Sequence, residues 1–204
     1  MLRGIYENGE RTALAHVFNP DLPLIECGAS IGVLACLTNG RLRHPVAHVA
    51  IEANPLLLPL LERHRARNGA RFEILPAAVA YGVADVDFAI SRDSLASSLH
   101  GDGRRVRVPA VTLGAVAEQH GFDRFGLVCD IEGAEMDILR HDEATLVQRA
   151  AWVVMESHRD AQGRDLAHDV IDWFTARGFR HVRSTRTVHA FLGPDGTTAG
   201  EGTR

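Results

Sequence analysis

The chain has 204 residues, 46% of them hydrophobic and 24% charged, with a formal net charge of −4. That fits one ordinary globular domain with a sizeable core, and it gives no electrostatic reason to expect a nucleic-acid backbone or an anionic membrane as partner. No apolar run approaches the roughly 18–20 residues of a membrane span, the first residues lack the apolar core of a signal peptide, and Cys27, Cys36 and Cys129 contain no CxxC pair; a reducing, cytoplasmic setting is expected.

In chain order, residues 10–18 are predicted to form a short amphipathic helix leading into the domain. Asn19-Pro20-Asp21 ends it, and 23–27 reads as the first buried strand. Helix 31–37 closes at Asn39-Gly40, and 46–51 is the second strand. Asn54-Pro55 carries the cap-then-proline signature of a helix start, with Asn68-Gly69 as its stop. Strand 72–75 follows, then two strands, 83–90 and 104–108, around a polar loop, 91–103. Thr112 caps a helix to about 119, 126–129 is a further central strand, and 134–140 is a helix. Strand 151–155, helix 166–177 and an antiparallel pair, 179–183 and 187–192, complete the pattern. Strands alternating with helices imply one three-layer α/β domain on a mainly parallel sheet, made mixed by its last hairpin. The expected layout is a helical lead-in over 1–20, the domain over 21–193 and a disordered tail over 194–204.

Three runs carry the chemistry. Glu26-Cys27-Gly28-Ala29-Ser30-Ile31-Gly32 closes the first strand, Glu52-Ala53-Asn54-Pro55 the second, and Asp130-Ile131-Glu132-Gly133-Ala134-Glu135 follows Leu127-Val128-Cys129. Each puts an acidic residue and small residues at a strand's carboxyl end, where open α/β sheets bind ligands. The spacing Gly28–Gly32 is GxxxG; the dinucleotide pattern GxGxxG would need glycine at Ser30 and Val33, so a pyrophosphate fits poorly. Glu52 is placed to accept both hydroxyls of a ribose, and Glu26 to meet an ammonium group directly or through water. Pro76-Ala77-Ala78 is either a plain turn or, with Ala78, a slot for a flat base. Cys27 and Cys129 read as small buried hydrophobes, and Trp152 and Trp173 as core.

These runs together resemble the FkbM family of S-adenosylmethionine-dependent methyltransferases, whose usual motifs are Asp-Val-Gly-Ala-Asn-Ile-Gly, Glu-Pro-Asn-Pro and Lys-Ile-Asp-Val-Glu-Gly-Ala-Glu. Order and spacing agree over roughly residues 22–140, the third motif being the most specific. Glu26 stands for an aspartate, Ser30 for an asparagine, Val128-Cys129 for Lys-Ile, and Thr112-Leu113-Gly114 for Thr-Leu-Asp. The resemblance implies a Rossmann-like fold with a mainly parallel seven-stranded sheet. It also implies methyl transfer from S-adenosylmethionine to a hydroxyl oxygen of a small molecule or glycan. Glu26, Gly28, Ala29, Ser30, Gly32, Glu52, Ala53, Asn54, Ala78 and Asp130 are the candidate cofactor residues.

Methyl transfer needs an acceptor held in line and, for a hydroxyl, a nearby base. Asp130, Glu132 and His158 are the candidate catalytic residues; Asp130 either takes part in chemistry or positions a reactant, and His158 is either a base or a loop histidine. Glu135 reads equally as a helix-start carboxylate. Ser94, Ser97, Ser98 and Glu156 are the candidate acceptor residues, the serines in a segment that the resemblance sets over the site. Hard oxygen ligands at Asp130, Glu132 and Glu156 suit Mg2+, but the spacing does not demand a metal, so a divalent ion is open but not the favoured reading. The competing readings are an N-methyltransferase, a nicotinamide dehydrogenase, and a non-catalytic nucleoside-binding module.

Overall fold

A computed structural model describes residues 8–90, 104–160 and 162–195. Its central sheet has seven strands: β1 (Leu24–Cys27), β2 (His48–Ile51), β3 (Glu73–Leu75), β7 (Phe125–Cys129), β8 (Ala150–Glu156), β9 (Arg180–Thr185) and β10 (Val188–Leu192). Their spatial order is β3-β2-β1-β7-β8-β10-β9. β1, β2, β3, β7 and β8 are parallel, and β10 runs antiparallel to both neighbours. The expected closing hairpin is thus present. Strand order reverses between β1 and β7, so the ends of β1, β2, β7 and β8 share the edge where a ligand crevice forms.

β1, β2 and β7 are buried along their whole length, as strands covered on both faces must be. One face (Ile25, Val49, Leu127, Val153) packs on α4 (Leu113–Gln119), α5 (Glu135–His141), α6 (Glu143–Arg149) and α7 (Ala167–Ala176). Leu24, Val128, Trp152 and Ala190 on the other meet α1 (Asn8–Leu14) and Leu34 of α2 (Val33–Asn39). Ala50 packs with Ala35 and with Leu61 of α3 (Leu58–Arg67). Cys27, Cys129 and Trp152 are core, as expected. Among the described residues, no helix is long and apolar enough to cross a membrane.

Several expected boundaries shift for local reasons. The first helix stops at Leu14 instead of 18, where His16 and Val17 N–H turn back to Ala13 and Leu14 carbonyls. The helix expected at 31–37 begins at Val33, because Ser30 (φ 51) and Gly32 (φ 81) are left-handed. Asn54 does cap, accepting the Leu56 N–H through Oδ1, but it caps a turn, and the helix proper starts at Leu58 with Pro59 in its first turn. The strands expected at 83–90 and 104–108 form β5 (Asp85–Ile90) and β6 (Arg104–Val111). With β4 (Ala78–Val79) they make a separate three-stranded sheet beside the main one.

Candidate active site

Glu52, just past β2, is 6% exposed and held by two backbone amides: Ser30 N–H donates to Oε2 at 2.7 Å and Asn54 N–H to Oε1 at 2.6 Å. Burial raises its pKa; the amides of Asn54, Ser30 and Ala53 oppose that. Each carboxylate oxygen keeps acceptor capacity beyond its amide bond. The left-handed turn at Ser30 aims its amide at Glu52, and the sharp turn after β1 thereby orients the acid after β2. Ala29 and Asn54 are buried, while Ala53 packs against Ala78, Phe88, Ile90 and Val108.

The glycines answer to the fold itself. A Cβ on Gly28 (φ +86) would collide with the Asp130 carbonyl, and one on Gly32 with the Leu61 side chain. Gly28 is therefore required because the turns after β1 and β7 touch, a constraint independent of any ligand.

Glu26 is 2% exposed. It accepts the Ala35 amide in the first turn of α2, while Oε2 has no hydrogen-bond partner. His48 Nε2 stands 3.5 Å from that oxygen, too far for a good hydrogen bond. Burial pushes Glu26 up to about 8 and His48 down to about 3, so two neutral groups face each other. The carboxyl oxygen without a partner is turned toward His48, the first residue of β2.

The turn after β7 and the end of β8 meet across the edge. His158 Nδ1 donates to Glu135 Oε1 at 2.7 Å, while Nε2 lies 3.5 Å from Asp130 Oδ1 and 3.4 Å from Glu132 Oε2. Burial alone would lower the His158 pKa; the Glu135 bond and charge, with Asp130 and Glu132, outweigh it and raise it to about 9. Asp130 is pushed up to about 8 by burial and by the charge of Glu156, with Glu132 and Glu10 pushing the same way against the opposing pull of His158. Glu132 is left-handed (φ 55), a conformation costly outside glycine and common at functional turns. Glu156 Oε1 accepts the Thr187 hydroxyl at 2.7 Å.

A family model, the methyltransferase FkbM domain, matches residues 26–181. The chain belongs to the FkbM methyltransferase family. Solved structures share its fold. An FkbM methyltransferase from Methylobacillus flagellatus KT superposes with TM-score 0.50 at 16% identity, over 86% of this chain and 44% of that one. The precorrin-6y C5,15-methyltransferase of Geobacter metallireducens GS-15 gives 0.51 at 11% identity, over 89% and 84%. An uncharacterised Listeria monocytogenes protein gives 0.50 at 10%, over 92% and 67%. The chain thus spans under half the length of the Methylobacillus protein. Among curated proteins none matches at the sequence level.

Within this FkbM chain, the expected site residues divide into two neighbouring groups. Glu26, Gly28, Ala29, Ser30, Glu52, Ala53, Asn54 and Ala78 surround the ends of β1 and β2. Asp130, Glu132, Glu156 and His158 surround those of β7 and β8. Gly32 packs inward on α3. Ser94, Ser97 and Ser98 lie outside the described residues. Two further carboxylates belong to the second group. Glu135 is wholly buried and holds His158. Glu10 of α1 is 6% exposed, bonds Glu156, and is raised to about 7 by burial and that contact. Glu135 was legible only as a helix-start acid, and nothing in the sequence marks Glu10.

The departure Thr112-Leu113-Gly114 also has a structural reason. Asp142 reaches from the start of α6 to accept the Leu113 and Gly114 amides at 2.8 and 3.0 Å. It also accepts the Tyr81 hydroxyl at 2.6 Å. A Cβ on Gly114 would stand 3.0 Å from Asp142 Oδ1. The carboxylate at α4's first turn is supplied by Asp142, and glycine leaves it room.

Proposed function

We propose that this protein moves a methyl group from S-adenosylmethionine to a hydroxyl oxygen of a small-molecule or glycan acceptor in the cytoplasm. The observation that carries the reading is the carboxylate–imidazole cluster Asp130, Glu132, Glu135 and His158, set at strand ends next to the amide-held Glu52. S-adenosylmethionine supplies a methyl group on a positively charged sulfur. Glu52 accepts the ribose hydroxyls, and Glu26 takes the amino-acid ammonium group directly or through water. Gly28, Ala29, Ser30, Ala53, Asn54, Ala78 and Asp130 shape the nucleoside's surroundings, and Gly32 holds α2 against α3. Glu156 and the serines at 94, 97 and 98 meet the acceptor. Its hydroxyl proton passes to Glu132, with Asp130 and His158 beside it, as the new carbon–oxygen bond forms, which is general-base assistance worth roughly 10²–10⁴-fold.

An amine acceptor is the second reading, favoured by the acid-rich surroundings of Glu10, Asp130, Glu132 and Glu156. Calorimetry with S-adenosylmethionine and with NAD, followed by transfer of labelled methyl into cell extract by wild type and Asp130→Ala, tests the proposal. We expect binding of the first ligand only, and transfer that the substitution abolishes. Binding without transfer under any extract condition would favour a non-catalytic module; mass spectra of the labelled product separate oxygen from nitrogen acceptors.

A further inference from the structure

We propose that Asp130, Glu156 and His158 bind one divalent cation of the Mg2+/Mn2+ class, which holds the acceptor's oxygen; this rests on the methyl-transfer reading. One ligand atom from each of these residues lies within 4.8 Å of the other two. The set differs from the sequence expectation, in which Glu132 stood in place of His158. Two carboxylates and one imidazole are a donor set for a hard cation that tolerates nitrogen.

Two further observations turn the cluster into a built site. Glu135, 0% exposed, grips His158 Nδ1 at 2.7 Å. That bond fixes the ring and directs Nε2 toward Asp130, as the outer-shell carboxylates behind metal-bound histidines do. The second oxygen of this wholly buried Glu135 has no hydrogen-bond partner, and neither does the shielded Oδ1 of Asp130. Positive charge at these carboxylates comes from His158, with no second cation beside it among the described residues. The chain contains no lysine, and among the described residues no arginine pairs with Asp130 or Glu156. Carboxylates that outnumber their one cationic partner are costly to bury, and a divalent ion relieves that cost at its source.

With only three protein ligands, a six-coordinate cation keeps open positions. An acceptor offering two adjacent oxygens, such as a vicinal diol, fills a pair of them. His158 is then a ligand, and Glu132, 3.4 Å from Nε2 and outside the ligand set, takes the acceptor's proton. The new oxygen–carbon bond forms as the sulfur–carbon bond breaks, leaving a neutral thioether.

Electron paramagnetic resonance of free Mn2+, titrated with the EDTA-stripped full chain, tests the site without activity. We expect one Mn2+ per chain, displaced by excess Mg2+, with Glu156→Gln and His158→Gln each weakening binding tenfold or more and Glu135→Gln about 10-fold or more through the ring it orients. Calorimetry with S-adenosylmethionine on the same stripped samples reports the donor site separately. Absence of stoichiometric Mn2+ binding at millimolar metal overturns the cation site. So does undiminished binding in Glu156→Gln and His158→Gln proteins that melt like wild type. If the donor binds stripped protein while Mn2+ does not, only the cation site is lost. If the donor fails to bind with or without Mn2+, the methyl-transfer reading falls.

Discussion

Two glutamates show how the same side chain is given different work by its surroundings. Glu52 is locked by amides on both oxygens, so its direction is set before any ligand arrives and little ordering remains to be done on binding. Glu52→Ala is expected to weaken S-adenosylmethionine by several-fold or more in calorimetry; unchanged affinity would remove it from the ribose site. Glu26 is buried with a raised pKa of about 8. Its folded form therefore holds a proton more tightly than the unfolded chain, and its contribution to stability is full below 4.5 and lost as pH rises through 8. His48, lowered to about 3, works the opposite way and costs stability only below its ordinary 6.5. The ligand-free protein should melt at lower temperature at pH 8.5 than at pH 6.5, and Glu26→Gln should shrink that difference. A difference of the same size in the variant would show that Glu26 is not its source.

At the scale of elements, the ends of helices and strands do more than close hydrogen-bond ladders. Asp142 starts α6 yet serves the first turn of α4, joining two helices that are 28 residues apart in sequence at Gly114. Restoring the family's aspartate by Gly114→Asp would crowd a second carboxylate against the first, where a Cβ alone already meets Oδ1 at 3.0 Å. We expect a loss of roughly 1–3 kcal/mol, read in a denaturant melt, and a double variant with Asp142→Ala should recover part of it. The central strands were legible because continuous apolar runs such as Leu127-Val128-Cys129 end in an acid at a glycine-bearing turn. The second sheet was not. Residues 83–90 and 104–108 announce strands, but which neighbour β6 takes is decided by where β4 emerges, a tertiary matter. The start of α2 moved for a comparable reason, since propensity does not reveal a left-handed serine.

Across the whole molecule, the residues proposed for the nucleoside gather at the ends of β1 and β2 because their motifs close those strands. The acid-and-histidine cluster proposed for the acceptor was half legible. Asp130, Glu132, Glu156 and His158 sit where strand order puts them, whereas Glu10 and Glu135 look like solvent-facing helix acids until packing buries them to 6% and 0% exposure. Burial is a product of the assembled layers, and no local pattern encodes it.

The absence of a side chain at position 28 has a consequence for catalysis. Because main chain rests on main chain between residues 28 and 130, the proposed floor under the methyl donor and the proposed floor under its recipient are continuous. On the proposed reading, distance and angle between the two reactants are inherited from sheet geometry, and what lies above that floor is left to choose the substrate.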